Sequence, residues 1–416
     1  MTLNLPHLLA DLIAIPSVNP MGRGEVAGAE VFERHLTDYL EQWFSRIGLE
    51  TQRQTIEPGR DNLIARLEGS AGAPVVLLDA HQDTVPVEGM TIDPFRPTTR
   101  EGRLYGRGAC DIKGGMTAML GAVARVAAER PKPCPTVLMA CTINEEHGFT
   151  GAQGLCDLWS HVDAPHVDAS LRDAQSSLGE TRPRGRSIVP RKPDFAIVAE
   201  PTELGIVVAH KGMVRWQCRT LGRAAHSSLP QLGENAIFRM AEVLAALERY
   251  HRDDLSRSTA HPLCGRATLS VGTIQGGISV NTVPASCTIE IDRRLLPDDD
   301  PASVYREVID YLARHVGRPE TIEHLPPMMQ SRGLSDTANG ALADRLAVAV
   351  RELRGAAQKI GVPFGTNATA YGAHFPTVVF GPGSITQAHT ADEWLALDQL
   401  ELASEILYRF LKRLAD

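Results

Sequence analysis

The chain has 416 residues, 43% hydrophobic and 22% charged, with a formal net charge of −8. That length exceeds what one hydrophobic core ordinarily supports, so two domains are expected, and an acidic balance speaks against a nucleic-acid partner, which would need concentrated Lys and Arg. No stretch reaches the ~20 apolar residues of a membrane span, and the seven cysteines (Cys110, Cys134, Cys141, Cys156, Cys218, Cys264, Cys287) are scattered with no C-x-x-C pair, which fits reduced thiols in a cytoplasm.

At the N-terminus, Leu3, Leu5, Leu8, Leu9, Leu12 and Ile13 are spaced like a helix face rather than massed like a secretory signal. Residues 31–47 then read as a helix, 62–67 and 75–78 as strands, 116–128 as a helix of small residues suited to close packing, and 136–141 as a strand. Such alternation predicts α/β layers. Between residues 159 and 193 the pattern dissolves into Ser, Asp, Arg and Pro, as in a surface excursion. Beyond Glu200 the order changes to a strand at 213–221, a helix at 235–252, strands at 267–274 and 286–294 around Gly276-Gly277, a helix at 304–316 and a strand at 321–325. This is β-α-β-β-α-β, a ferredoxin-like split unit. It predicts an inserted domain at 210–326 within a discontinuous domain formed by 1–209 and 327–416. A helix at 342–353 and a strand at 377–380 follow it.

Four apolar runs lead straight into acids or histidines. Residues 75–78 lead to His81 and Asp83, residues 136–140 to Glu145-Glu146, residues 195–198 to Glu200, and residues 377–380 to His389. Short β-branched runs read as strands buried on both faces, and ligand sites in open α/β sheets collect at the carboxyl ends of strands. With Asp111, the set His81, Asp111, Glu146, Glu200 and His389 holds two imidazoles and three carboxylates. That is too many for one tetrahedral zinc and suits two cations that share a carboxylate. Without metal these acids would raise one another's pKa values. Asp83 stands at i+2 from His81, on the same face of extended chain, where a carboxylate orients a ligating imidazole. A Glu adjacent to a ligand but not itself one is placed to act as a base.

Five ordered motifs carry a family resemblance over nearly the whole chain. They are His81-Gln82-Asp83-Thr84-Val85-Pro86, the segment from Gly106 to Gly115 around Asp111, Glu145-Glu146-His147-Gly148, Ala199-Glu200-Pro201-Thr202, and Gly381-Pro382-Gly383 followed by Ala388-His389. The chain resembles the dinuclear zinc amidohydrolases of peptidase family M20, which include acetylornithine deacetylase, succinyl-diaminopimelate desuccinylase, aminoacylase and glutamate carboxypeptidase. The resemblance implies a zinc-exopeptidase-like catalytic domain with a mixed, mostly parallel sheet, plus an inserted lid and dimerisation domain. It implies two Zn2+, with Co2+ or Mn2+ as alternatives: His81, Asp111 and Glu200 hold one ion, and Asp111, Glu146 and His389 the other. Glu145 is then the general base and Asp83 supports His81. In the inserted domain the resemblance makes His226 an oxyanion-binding residue, and Asn281 and Arg294 the grip on a substrate carboxylate. In relatives the histidine often reaches the partner's site across a homodimer. Thr366-Asn367-Ala368 departs from the pattern, which has Asp in the middle.

The chemistry so implied is hydrolysis of an N-acyl amino acid, an acetylated one foremost, by a bridging hydroxide. A dipeptidase, carboxypeptidase or N-carbamoyl amino acid hydrolase on the same scaffold is the nearest alternative. A dinucleotide-binding oxidoreductase is disfavoured, because Gly106-x-Gly108 is followed by Asp111 where a third glycine is required. A non-catalytic binding protein is disfavoured because all the ligands and Glu145 are present.

Overall fold

Val75–His81 and Thr136–Thr142 are buried along their whole length, as strands covered on both faces must be. In the computed structural model, which describes residues 3–22, 28, 30–160, 188–189 and 191–414, they run side by side in parallel, with Val75 opposite Thr136 and His81 opposite Thr142. Phe195–Val198 pairs in parallel with the other side of Val75–His81, and Thr377–Val379 pairs in parallel with Phe195–Val198. Four strands therefore end at one edge of the sheet. On the far side, Arg60–Leu67 runs antiparallel to Thr136–Thr142, and Glu50–Glu57 antiparallel to Arg60–Leu67. The α/β fold with a mixed sheet is as the sequence predicts. Glu50–Glu57 escapes sequence reading because it is a polar edge strand with no residue fully buried.

The small residues of Lys113–Glu129 are required by contact. A Cβ on Gly114 would lie 2.4 Å from the Leu395 side chain and 2.5 Å from the Ala109 carbonyl oxygen. This helix packs on Leu397–Arg413, a second helix that the sequence reading did not single out. Its buried Leu400, Ala403, Leu407 and Leu411 follow helical spacing, and each fully buried leucine contributes about 1.5–3 kcal/mol. All seven cysteines are buried and unpaired. Among the described residues no helix is long and apolar enough to cross a membrane.

Contacts divide the chain into two units: Met1–Ile206 with Ala338–Lys359 and Thr366–Asp416, and Val207–Thr337 with Ile360–Gly365. The second unit has its own sheet, ordered Thr268–Gly276, Ser286–Leu295, Gly212–Leu221, Ile322–His324, with every neighbour antiparallel. Helices Ala236–Arg249 and Pro301–His315 complete the β-α-β-β-α-β order. Asn235 caps the first helix by accepting the Ile237 and Phe238 N–H groups, and Asp300 caps the second at Ser303. Alternate residues of Ser286–Leu295, including Cys287, Ile289 and Ile291, face a core with Trp216, Val243, Leu247, Val308 and Leu312. The excursion at 159–193 lies largely outside the described residues.

Candidate metal centre

Every proposed ligand ends a strand, lies in the loop that follows one, or precedes a helix of the first unit. His81 closes Val75–His81, Glu146 follows Thr136–Thr142, Glu200 follows Phe195–Val198, and Asp111 precedes Lys113–Glu129. His389 follows Thr377–Val379 with a backbone φ of 61°, in the left-handed region that a non-glycine residue seldom occupies. Because the four strands are parallel neighbours, their loops converge, and the five side chains fall into two sets. His81, Asp111 and Glu200 form one, and Asp111, Glu146 and His389 the other; within each, the donor atoms lie within 4.8 Å of one another. Asp111 belongs to both. Its Oδ1 is 3.2 Å from His81 Nε2, and its Oδ2 is 3.3 Å from His389 Nε2, which is also 3.3 Å from Glu146 Oε2.

The donor set fits cations. Oε1 of Glu146 and Oε1 of Glu200 are buried and make no hydrogen bond, an arrangement that is costly unless a positive charge receives them. Burial, reinforced by the charges of Glu145 and Asp111, lifts Glu200 well above the usual carboxylate range. Burial and the Asp111 charge lift Glu146 to about 7. Hydrogen bonds to Asp111 and Glu146 raise His389 to about 10. These acids ask for positive charge, and in its absence they take protons. Glu145 belongs to neither set, and burial, opposed by His81 and reinforced by Glu146, Asp111 and Asp83, raises its carboxyl well above the ordinary value.

The imidazole of His81 is oriented by its Nδ1 side. Nδ1 lies 2.9 Å from the Asp83 carbonyl oxygen, which can only accept, so Nδ1 carries a proton, and Nε2, which faces Asp111 Oδ1, is the nitrogen left for a cation. The sequence reading assigned this support to the Asp83 carboxylate, whose nearer oxygen is 3.6 Å from Nδ1. That carboxylate also accepts the backbone N–H of Glu145 at 3.1 Å and of Glu146 at 3.2 Å, holding the two acidic residues in place together. Asn19, which sequence reading missed, donates to Asp83 Oδ2 and to Asn144 Oδ1, both at 2.8 Å. Nothing local marks it, since both partners are distant in sequence.

The other three predicted residues lie in the second unit. His226 and Asn281 are brought together by paired backbone, the Ser227 N–H donating to the Asn281 carbonyl at 3.0 Å. His226 Nδ1 accepts the Ser228 backbone N–H at 3.2 Å; Nε2 therefore carries the proton and is the exposed donor. Arg294 pairs with Asp292, Nε to Oδ1 at 2.9 Å. The neighbouring Arg293 is buried. Residues 292 and 294 share one face of the strand, and 293 takes the other.

The pattern of peptidase family M20/M25/M40 matches residues 77–413. The chain belongs to this family. Among curated relatives of this M20 chain, acetylornithine deacetylase of Vibrio campbellii (strain ATCC BAA-1116) is 31% identical over 379 residues, covering 89% of each protein. Among solved structures, a tripeptidase from Staphylococcus aureus superposes with a TM-score of 0.73 at 20% identity, covering 100% of both chains. A Bacillus subtilis protein described as a dinuclear metal-binding peptidase of the M20 family superposes with a TM-score of 0.65 at 15% identity, over 98% of this chain and 97% of that one. This M20 chain is a metal-dependent hydrolase.

Proposed function

We propose that the chain hydrolyses the amide bond of an N-acyl amino acid, an N-acetyl one foremost, with two Zn2+ held by His81, Asp111, Glu200 and by Asp111, Glu146, His389. The carrying observation is the pair of donor sets sharing Asp111, with Glu145 beside them and outside both. The acyl preference rests on the acetylornithine deacetylase relatives, which match along most of the chain. Bound at these residues, two divalent cations would supply Lewis acidity to the scissile carbonyl and acidity to a water. Glu145 then accepts a proton from the attacking water and returns it to the leaving nitrogen, and the second water proton also ends on that nitrogen, so that amide and water become carboxylate and ammonium. Its raised pKa in the metal-free form suits a group that must both take and give a proton. The Nε2–H of His226 is the donor proposed for the developing oxyanion.

Arg294 and Asn281 are proposed to bind the substrate's α-carboxylate, which must compete with Asp292 for Arg294. They stand toward opposite ends of Ser286–Leu295: Ser286 is opposite Leu221 on the His226 and Asn281 side, and Arg294 is opposite Met213. At ~3.3 Å per residue the eight steps between Ser286 and Arg294 span roughly 26 Å, too far for one small substrate to touch both groups of a single copy. Two copies remove the difficulty if each lends its His226 and Asn281 to the other. Thr268–Gly276 is the edge of the second unit's sheet, and Ile274, Ile278, Val280 and Phe238 are exposed near its Gly276 end. Edge strands with apolar side chains pair readily with another chain, which supports a homodimer through this unit. The buried, unpaired thiols suit a reducing cytoplasm.

The test is a panel of N-acetyl, N-succinyl and N-carbamoyl amino acids and dipeptides, with the carboxamide of the best substrate, assayed on zinc-reconstituted protein. Turnover should be greatest on an N-acetyl amino acid and fall strongly on its carboxamide. Exclusive cleavage of dipeptides would overturn the acyl assignment, and equal turnover of carboxylate and carboxamide would overturn carboxylate recognition.

A further inference from the structure

The carboxylate of Glu393 is fully buried and collects four donors from a single loop. Oε2 accepts Arg107 Nη1 at 2.7 Å and the Gly108 N–H at 3.0 Å; Oε1 accepts the Cys110 N–H at 2.8 Å and the Asp111 N–H at 3.0 Å. The Gly106 N–H donates to the Glu393 carbonyl at 3.0 Å. Every one of these donors lies between residues 106 and 111, in the loop that delivers Asp111, the residue common to both donor sets. Gly108, at φ 81°, turns the backbone so that successive N–H groups converge on one anion. Glu393 itself stands four residues after His389. The strand that follows it, Trp394–Ala396, pairs with Arg103–Tyr105 just before the loop. One side chain thus ties the segment bearing Asp111 to the segment bearing His389.

Charge-assisted hydrogen bonds are roughly twice as strong as neutral ones, and buried N–H groups need a partner. Water could serve the N–H groups but would not fix where Asp111 points. In a cluster of three mutually repelling carboxylates, a loosely held Asp111 would turn away from Glu146 and Glu200.

We propose that Glu393 is a positioning residue for the metal pair, holding the backbone of 108–111 so that the two Asp111 oxygens face the two donor sets before any cation arrives. The proposal rests on the two-metal reading of the site. It is tested with the full-length chain by buffered Co2+ titration, following the visible absorption of the bound ion and the stoichiometry, in wild type, Glu393→Gln and Leu36→Ala. Glutamine keeps the size of glutamate but turns an amino group toward two N–H donors. Leu36 is a core residue remote from the site in sequence and without a ligand role, and its truncation controls for general destabilisation. Glu393→Gln should bind Co2+ about 10–100-fold more weakly with an altered absorption band, while Leu36→Ala, kept below its unfolding temperature, should bind and absorb like wild type. Matching affinity and band in Glu393→Gln and wild type would overturn the proposal. Fewer than two ions on the wild type would overturn the two-metal reading instead. Should Glu393→Gln fail to fold, hydrogen exchange on the metal-stripped wild type decides: the amides of Gly108, Cys110 and Asp111 should already be protected. Free exchange there until a cation is added would show that metal, not Glu393, orders the loop.

Discussion

Asn367 Nδ2 donates a hydrogen bond to Asp79 Oδ2 at 3.0 Å, and both side chains are fully buried. The same amide donates to Thr142 Oγ1 at 2.9 Å, whose hydroxyl donates to Asp79 Oδ1 at 2.8 Å. The family resemblance leads one to expect an acid at position 367. In this chain the acid of the cluster sits on the strand instead, and a second one would bury two carboxylates in contact. The missing charge at 367 therefore answers to burial beside Asp79, and it carries no inference about the side chain of the substrate.

Asn367→Asp should destabilise the protein by about 3 kcal/mol or more, because a buried charge would lose its partner and gain a repeller. Adding Asp79→Asn should recover most of that loss. A urea-denaturation cycle on the four proteins measures the coupling, and simple additivity would show that the two residues do not meet.

Burial lifts Asp79 from 3.8 to about 6, against the hydrogen bonds of Thr142 and Asn367. The folded state therefore holds this proton more tightly than the unfolded chain. Stability from the group is complete below about pH 4 and is lost as pH rises through about 6. Relative to wild type, Asp79→Asn should gain stability between pH 4 and 7, on the order of 3 kcal/mol. A difference in Tm between the two proteins that stays flat across that range would refute the assignment.

Metal removal should expose the same logic at the site itself. With Glu146 lifted to about 7 and Glu145 and Glu200 raised well above the usual range by burial first, the chelated protein holds protons that the unfolded chain releases. Its stability should fall as pH rises from about 5 to 8. Zinc-loaded protein should resist that fall, because cations bound only to the folded state add stability by mass action. Thermal scans with and without chelator check this, and parallel curves would speak against a metal site built from these acids.

Glu145→Gln should retain both ions and lose roughly 10²–10⁴-fold in kcat, the contribution of a positioned acid–base group. Asp83→Asn should behave differently, since the Asp83 carboxylate caps the N–H groups of both Glu145 and Glu146. It should weaken metal binding and turnover together. Metal analysis beside kinetics separates the two variants, and near-normal turnover in metal-replete Glu145→Gln would remove Glu145 as the base.

Val280→Asp should shift a dimer toward monomer in sedimentation, because Val280 is fully exposed on the free protomer beside the other apolar side chains and a charge there would be buried on pairing. Mixing inactive His226→Ala and Glu145→Gln chains should restore part of the activity, one hybrid site then holding both intact groups. A fully active monomer would contradict the shared site.

By itself, the sequence determined the proposed ligands and the kind of sheet that carries them. Apolar runs ending in His81, Glu146, Glu200 and His389 leave little choice, because strands buried on both faces must be parallel neighbours and their ends must converge. The inserted β-α-β-β-α-β order was legible for a similar reason, since periods of 2 and 3.6 mark strands and helices wherever one face is buried. Only the tertiary structure decided which polar groups meet. It placed Asn19 on Asp83, Asn367 on Asp79 and Glu393 under the Asp111 loop, partners whose separation in sequence leaves no local trace. It also gave the Asp83 carbonyl, rather than its carboxylate, the nearer contact with His81, and set Arg293 inward and Arg294 on Asp292. Alternation along a strand says that such neighbours part, but which of them faces the core depends on the register of the sheet around them.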